Sequence, residues 1–209
     1  MKKSLQKASA LFTFNLILLV QLLILPSPTP ALELSPFAGY RFGGEIKDEF
    51  IGSEMTLEEA KVFGIHLGFD QGPGKQIELL YSRQEGTIET DPAFILPAPW
   101  KMTVEYLHIG GLSTYNNSDR YRLFIAGGFG LTQFDPEHFT AKRKASLSLA
   151  GGGKLFLTQN SGLRLELRSY WTFLDTSGVV FCNNGSCRIL IEGDSWQQFE
   201  TNLGFFVRF

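Results

Sequence analysis

The segment LRLELRSYWTF, residues 163–173, places Leu163, Leu165, Leu167, Ser169, Trp171 and Phe173 on one parity and Arg164, Glu166, Arg168, Tyr170 and Thr172 on the other. Successive side chains of an extended strand point to opposite faces, so this period of two reads as a strand with one apolar and one charged face. A helix of this sequence would scatter both sets around its axis. The same alternation returns along the chain. YRLFIAGGFGL sets Leu123, Ile125, Phe129 and Leu131 against Arg122, Phe124, Ala126, Gly128 and Gly130, and KVFGIHLGFD sets Phe63, Ile65, Leu67 and Phe69 against Val62, Gly64, His66 and Gly68.

With KQIELLYS, KASLSLAGGGKLFL, LELSPFAGYRF, KMTVEYLHIGGL and the final segment, the pattern predicts eight strands at 34–43, 60–69, 75–84, 101–112, 120–131, 144–157, 162–174 and 196–209. In the fourth of these, both Val104/Tyr106 and Leu107/Ile109 qualify as the apolar face. The connectors alternate in length. DQGPGK, YNNSDR and TQNSG are short and rich in turn residues, whereas 44–59, 85–100, 132–143 and 175–195 are longer and more polar. Short and long connectors in alternation imply an all-β, eight-stranded antiparallel up-and-down barrel. In a membrane its short turns would lie at one surface and its long loops at the other.

A soluble barrel of this kind turns its apolar face inward around a ligand, and a membrane barrel inverts that arrangement. The apolar parity carries large residues, while the opposite parity carries Gly, Ala and Ser that fit a narrow lumen. The opposite parity also holds charges of both signs: Glu78, Arg122, Lys154, Arg164, Glu166, Arg168, Glu200 and Arg208. Facing lipid near the midplane, each would cost about 2–4 kcal/mol, so the pattern predicts a paired polar network inside the barrel. A mean hydropathy near zero with 44% hydrophobic residues suits such a wall, because only alternate residues touch lipid. A formal charge of −2 argues against nucleic acid as a partner.

The chain opens with Lys2, Lys3 and Lys7, continues with an apolar run from Ala10 to Leu25, and reaches Thr29-Pro30-Ala31 after Pro26. These three regions predict a secretory signal peptide over 1–31 and a barrel domain over 32–209, exported through the periplasm. No later apolar run reaches the length of a transmembrane helix. At the other end, Leu203, Phe205, Val207 and Phe209 alternate to a terminal Phe. In this the chain resembles the small OmpA/OmpX-like group of bacterial outer-membrane β-barrel proteins. The resemblance implies that these four residues form the signal read by the barrel-assembly machinery. It also implies a cell outer-membrane location among phospholipid and lipopolysaccharide.

Cys182 and Cys187 in FCNNGSCR are expected to pair in an oxidising compartment, stiffening the last long loop by roughly 2 kcal/mol. No further Cys or clustered His stands nearby to make a metal site. Trp100, Trp196, Tyr40, Tyr81 and Tyr170 lie near strand ends, where interface aromatics gather, although Tyr170 has the lumen parity. The loop segment PAFILPAPW is a candidate for partner contact or for lying on the membrane surface.

No catalytic set is found. His66 falls on a lumen face and His138 in a long loop, and Glu105 and His108, three apart, face opposite sides of a strand. No cofactor motif is present; AGGGKL lacks phosphate-loop spacing. Eight strands leave an interior that side chains fill, which disfavours a general pore. The reading is a structural or surface-interaction barrel, serving envelope integrity or adhesion through its loops. The alternatives are a narrow channel or OmpW-like conduit for a small hydrophobic ligand and, behind these, an acyl hydrolase acting on lipid A.

Overall fold

The computed structural model describes residues 31–48, 54–90, 100–115, 118, 120–137, 140–174, 179–183, 186–192 and 195–209. The proposed signal peptide, His138 and most of PAFILPAPW lie outside them. Twelve strands follow in order: β1 Leu32–Gly43, β2 Glu45–Asp48, β3 Glu54–Leu57, β4 Ala60–Gly72, β5 Lys75–Thr90, β6 Trp100–Thr114, β7 Tyr121–Pro136, β8 Lys142–Phe156, β9 Ser161–Phe173, β10 Val179–Asn183, β11 Ser186–Glu192 and β12 Ser195–Arg208. Eight of them, β1-β4-β5-β6-β7-β8-β9-β12, pair antiparallel with their ring neighbours, and β12 returns to β1 to close the barrel. The closing seam runs from Glu33↔Arg208 to Gly43↔Gln198, and the Phe209 N–H donates to the Leu32 carbonyl at 2.8 Å.

The long connectors contain more strand than their polarity implies. β5 runs on to Thr90 and β7 to Pro136, while β2 and β3 occupy part of 44–59 and β10 and β11 part of 175–195. These additions pair in the order β10-β11-β2-β3-β5 and raise one side of the wall at the long-loop end. Two of the short connectors, DQGPGK and TQNSG, are tight turns. Gly72 and Gly74 take φ of 127° and 71° around Pro73, a conformation that residues with a Cβ rarely adopt. In TQNS, Thr158 Oγ1 accepts from the Asn160 and Ser161 amides.

Outward positions carry Phe63, Leu107, Ile109, Phe129, Leu149, Leu165, Leu167 and Leu203, with Leu167 64% exposed. Among the described residues no helix is long and apolar enough to cross a membrane; the apolar surface here belongs to strands. Inward positions alternate large with small residues. A Cβ on Gly64 would stand 2.3 Å from Phe37 Cζ, and one on Gly152 would stand 2.6 Å from Phe124 Cζ, so these glycines make room for the facing rings.

The interior changes character along the barrel. From the short turns to mid-height it carries the charged residues, beside a small apolar cluster of Leu112, Phe124, Ala126 and Ala150 on β6 to β8. At the long-loop end Leu57, Ile88, Met102, Val104, Phe134, Leu174 and Trp196 form a buried apolar cluster. This settles the phase of β6: Leu107 and Ile109 face outward, while Met102, Val104, Tyr106 and His108 face the lumen. Both faces of β6 read as apolar because each is apolar at a different height. Trp196 is therefore not an interface aromatic. It shares inward parity with Gln198 and Glu200, is 1% exposed, and meets Phe134 edge to face at 5.5 Å. Tyr40 and Tyr81 do face outward, and Tyr170 is fully buried.

Candidate functional site in the barrel lumen

The lumen is filled by three tiers of polar side chains. In the middle tier, Arg164, Glu166 and Arg168 stand at every second position of β9, and Glu78 reaches them from β5, diametrically opposite in the ring. Arg164 Nη1 lies 2.7 Å from Glu78 Oε2, and Arg168 Nη2 donates to Glu78 Oε1 at 3.0 Å. Arg168 Nε donates to Glu166 Oε1 at 2.7 Å, and Arg164 Nε donates to Glu166 Oε2 at 3.1 Å. Two guanidiniums thus neutralise two carboxylates. All four are nearly inaccessible, and short contacts among opposite charges make that burial tolerable. The β5–β9 bridge also ties opposite walls together.

Above it, toward the long loops, Glu200 Oε2 accepts from Arg41 Nη2 at 2.7 Å, Arg41 Nε at 3.1 Å, Ser82 Oγ at 3.0 Å and the Tyr170 hydroxyl at 3.2 Å. Arg41 also donates to Ser82 and, from Nη1, to Gln84 Oε1 at 3.4 Å. The Arg41 guanidinium carbon sits 4.7 Å from the Tyr106 ring centroid and 5.2 Å from that of Tyr170. Those rings stack on each other at 3.9 Å, and the Tyr106 hydroxyl donates to Gln198 Oε1 at 2.9 Å. This tier carries the polar network up to the apolar cluster.

Below, toward the short turns, Lys154 Nζ donates to Glu33 Oε1 at 2.6 Å and to Gln76 Oε1 at 3.0 Å. Gln76 Nε2 donates to Asp70 Oδ1 at 2.7 Å, and Arg208 pairs with Asp70. Of the eight charged residues read as a lumen network, the structure brings Glu78, Arg164, Glu166 and Arg168 into one cluster. Lys154 and Arg208 lie in the lower tier and Glu200 in the upper. Arg122 joins none of them: it points inward, its guanidinium lies 4.7 Å from the Phe156 ring centroid, and it meets no carboxylate among the described residues. The sequence reading missed Glu33, Arg41, Gln76, Ser82, Gln84, Gln198 and Asn202. Glu33, Ser35 and Arg41 share a parity opposite to Leu34, Tyr40 and Phe42, a signal present in LELSPFAGYRF.

Two arrangements invite a chemical reading. His66, Glu78 and Glu166 bring ligand-type atoms within 4.8 Å of one another. Arg164 and Arg168 hold both carboxylates, so a divalent cation there would stand beside two fixed positive charges, and the donor set does not fit one. His108 Nδ1 lies 2.9 Å from Ser148 Oγ and its Nε2 lies 2.8 Å from Ser146 Oγ. Among the described residues no carboxylate orients this imidazole, and all three side chains are buried within the packed lumen. Glu105 faces outward, where it accepts from the Tyr81 hydroxyl at 2.6 Å and from Gln133 Nε2 at 3.1 Å.

Leu203, Phe205, Val207 and Phe209 occupy the outward parity of the closing strand and its end, with Phe209 73% exposed. Cys182 and Cys187 are direct partners in the β10–β11 register. No gap opens between β6 and β7, whose pairing runs unbroken from Met102↔Pro136 to Thr114↔Phe124, so this stretch of wall offers a hydrophobic ligand no lateral exit.

No protein-family model matches the sequence, and no curated protein matches it either. Solved structures do. The Neisserial surface protein A matches 86% of this chain and 99% of its own with a TM-score of 0.59 at 10% identity. The fold is that of the small outer-membrane β-barrels. The outer membrane protein OprG from Pseudomonas aeruginosa gives a TM-score of 0.57 at 11% identity, over 87% of this chain and 96% of its own. The N-terminal β-barrel domain of Pseudomonas aeruginosa OprF gives 0.50 at 12% identity, over 87% and 98%. What is common at such identities is the barrel, and none of the three carries a role over to this chain.

Proposed function

We propose that this chain is an integral outer-membrane barrel whose work is done at its surface, through the long-loop end, in envelope integrity or in adhesion, and not by passage through its lumen or by catalysis. The observation that carries this reading is the obstruction of the lumen. Three charged tiers and an apolar cluster fill it in succession, and the described strands pair around the whole ring. An outward belt of Leu, Ile and Phe supports residence in lipid, and the similar folds are barrels of outer membranes.

In the same reading, the short turns face the periplasm and the barrel contacts phospholipid and lipopolysaccharide. Its closing strand is presented to the assembly machinery, and Cys182 and Cys187 form a disulfide in the raised part of the wall. Reconstitution in planar bilayers tests the proposal. The barrel is expected to insert, to shift in electrophoretic mobility on boiling, and to give no steady conductance. A stable ohmic channel in the unaltered protein would contradict it.

A further inference from the structure

The lumen ends toward the short turns in a cavity of about 510 Å³, rimmed by the β4–β5 turn and floored by the lower charged tier. Its lining includes four cations, Lys75, Arg122, Lys154 and Arg208, and two carboxylates, Glu33 and Asp70. The carboxylates are taken. Glu33 holds Lys154 and accepts from Gln76 Nε2 at 3.2 Å, and Asp70 holds Arg208 and Gln76. Arg122 and Lys75 remain, and neither meets a carboxylate among the described residues.

Arg122 is the informative one. The guanidinium carbon lies 4.7 Å from the Phe156 ring centroid, and among the described residues none of its five N–H donors finds an acceptor. Its Nε is enclosed and makes no hydrogen bond at all. An enclosed donor is costly unless something accepts from it. Phe156 is itself braced edge to face by Phe206 at 5.0 Å, which fixes the ring that Arg122 sits over. Everywhere else in this lumen a guanidinium edge is matched to a carboxylate or hydroxyl; at Arg122 no described residue supplies that match.

We propose that this vestibule binds a phosphate-class oxyanion, gripped along the Arg122 edge and neutralised by Lys75 at the rim. Two positive charges unmatched among the described residues suit a group with up to two negative charges, and the planar fork of arginine matches adjacent oxygens of a phosphate. Thr114, also in the lining, adds a hydroxyl. The same chemistry is offered by free phosphate and by a lipid headgroup folding over the rim.

The full chain, folded in a neutral maltoside micelle, is titrated with inorganic phosphate while the Arg122 side-chain Nε–H resonance and the backbone amides of Gly74 and Thr114 are followed by NMR. Boiling-dependent mobility serves as the check on folding. A saturable shift at these three positions, absent with chloride, is expected. It should weaken by about tenfold in Arg122→Gln, less in Arg122→Lys, and by a few-fold in the surface variant Lys75→Gln. In phospholipid nanodiscs, a shift already present before phosphate is added assigns the site to a lipid headgroup, and a shift that appears only with added phosphate assigns it to a soluble anion. No saturable shift in either medium, or titrations unchanged by both Arg122→Gln and Lys75→Gln, would overturn the proposal.

Discussion

The two ends of this barrel obey opposite rules. From the short turns to mid-height, the inside holds the ionic network beside a smaller apolar cluster of Leu112, Phe124, Ala126 and Ala150, and the outside is leucine, isoleucine and phenylalanine. At the long-loop end, Met102, Val104, Phe134 and Trp196 are inside, while Arg83, Glu85, Glu105, Gln133 and Arg143 are outside on β5 to β8. The strands do not change parity between these zones; only the solvent around the wall changes. Where hydrocarbon surrounds the barrel, apolar side chains belong outside and charges must find one another within. Where water returns, the ordinary soluble arrangement returns with it. The site at which polarity reverses on β5, between Tyr81 and Arg83, thus marks the level at which the wall leaves the hydrocarbon.

The largest test of this contrast is inside the charged zone. Glu78→Ala leaves Arg164 and Arg168 facing a cavity without their β5 partner, and is expected to lower stability by about 3–5 kcal/mol, read as a fall in the urea midpoint of the reconstituted barrel. Next comes one chemical change made at two heights. Leu165→Lys puts a charge into hydrocarbon and should cost about 2–4 kcal/mol, whereas Thr103→Lys, outward on β6 at the long-loop end, should stay within about 0.5 kcal/mol. Equal costs at both positions would remove the distinction between the zones. The smallest effect is expected for Arg83→Ala. Its pair with Glu85 is 2.7 Å long but exposed on both sides, so the loss should stay below about 1 kcal/mol and shrink further in salt.

Most of the fold was legible because period two survives wherever lipid enforces it. On β9 the leucines and the Arg-Glu-Arg set could not exchange faces without placing three charges in hydrocarbon, so their sequence positions dictate their structural ones. Legibility failed where that pressure ends. Trp196 read as an interface aromatic and β6 was ambiguous because, near the long loops, an inward apolar residue and an outward one are equally acceptable. The strands run on into segments read as loops for the same reason: Arg83, Glu85 and Asp135 are polar yet extended, since outward charges cost nothing in water. Which charges pair across the lumen was not written in any local pattern. The bridge from Glu78 to Arg164 and Arg168 depends on β5 and β9 lying opposite each other in the closed ring.

The most direct measurement is the depth profile of the outer wall. Single nitroxide labels at Leu107, Phe129, Leu165, Thr103 and Gln133, in a background lacking Cys182 and Cys187, are compared in bilayers for collision with oxygen and with a water-soluble nickel chelate. Labels at Leu107, Phe129 and Leu165 are expected to favour oxygen, and those at Thr103 and Gln133 to favour nickel, with the crossover falling between Glu105 and Leu107 on β6. Nickel access at Leu165 equal to that at Thr103 would contradict the account, because the leucine face would then lie in water and the ionic lumen would have no reason to be inside.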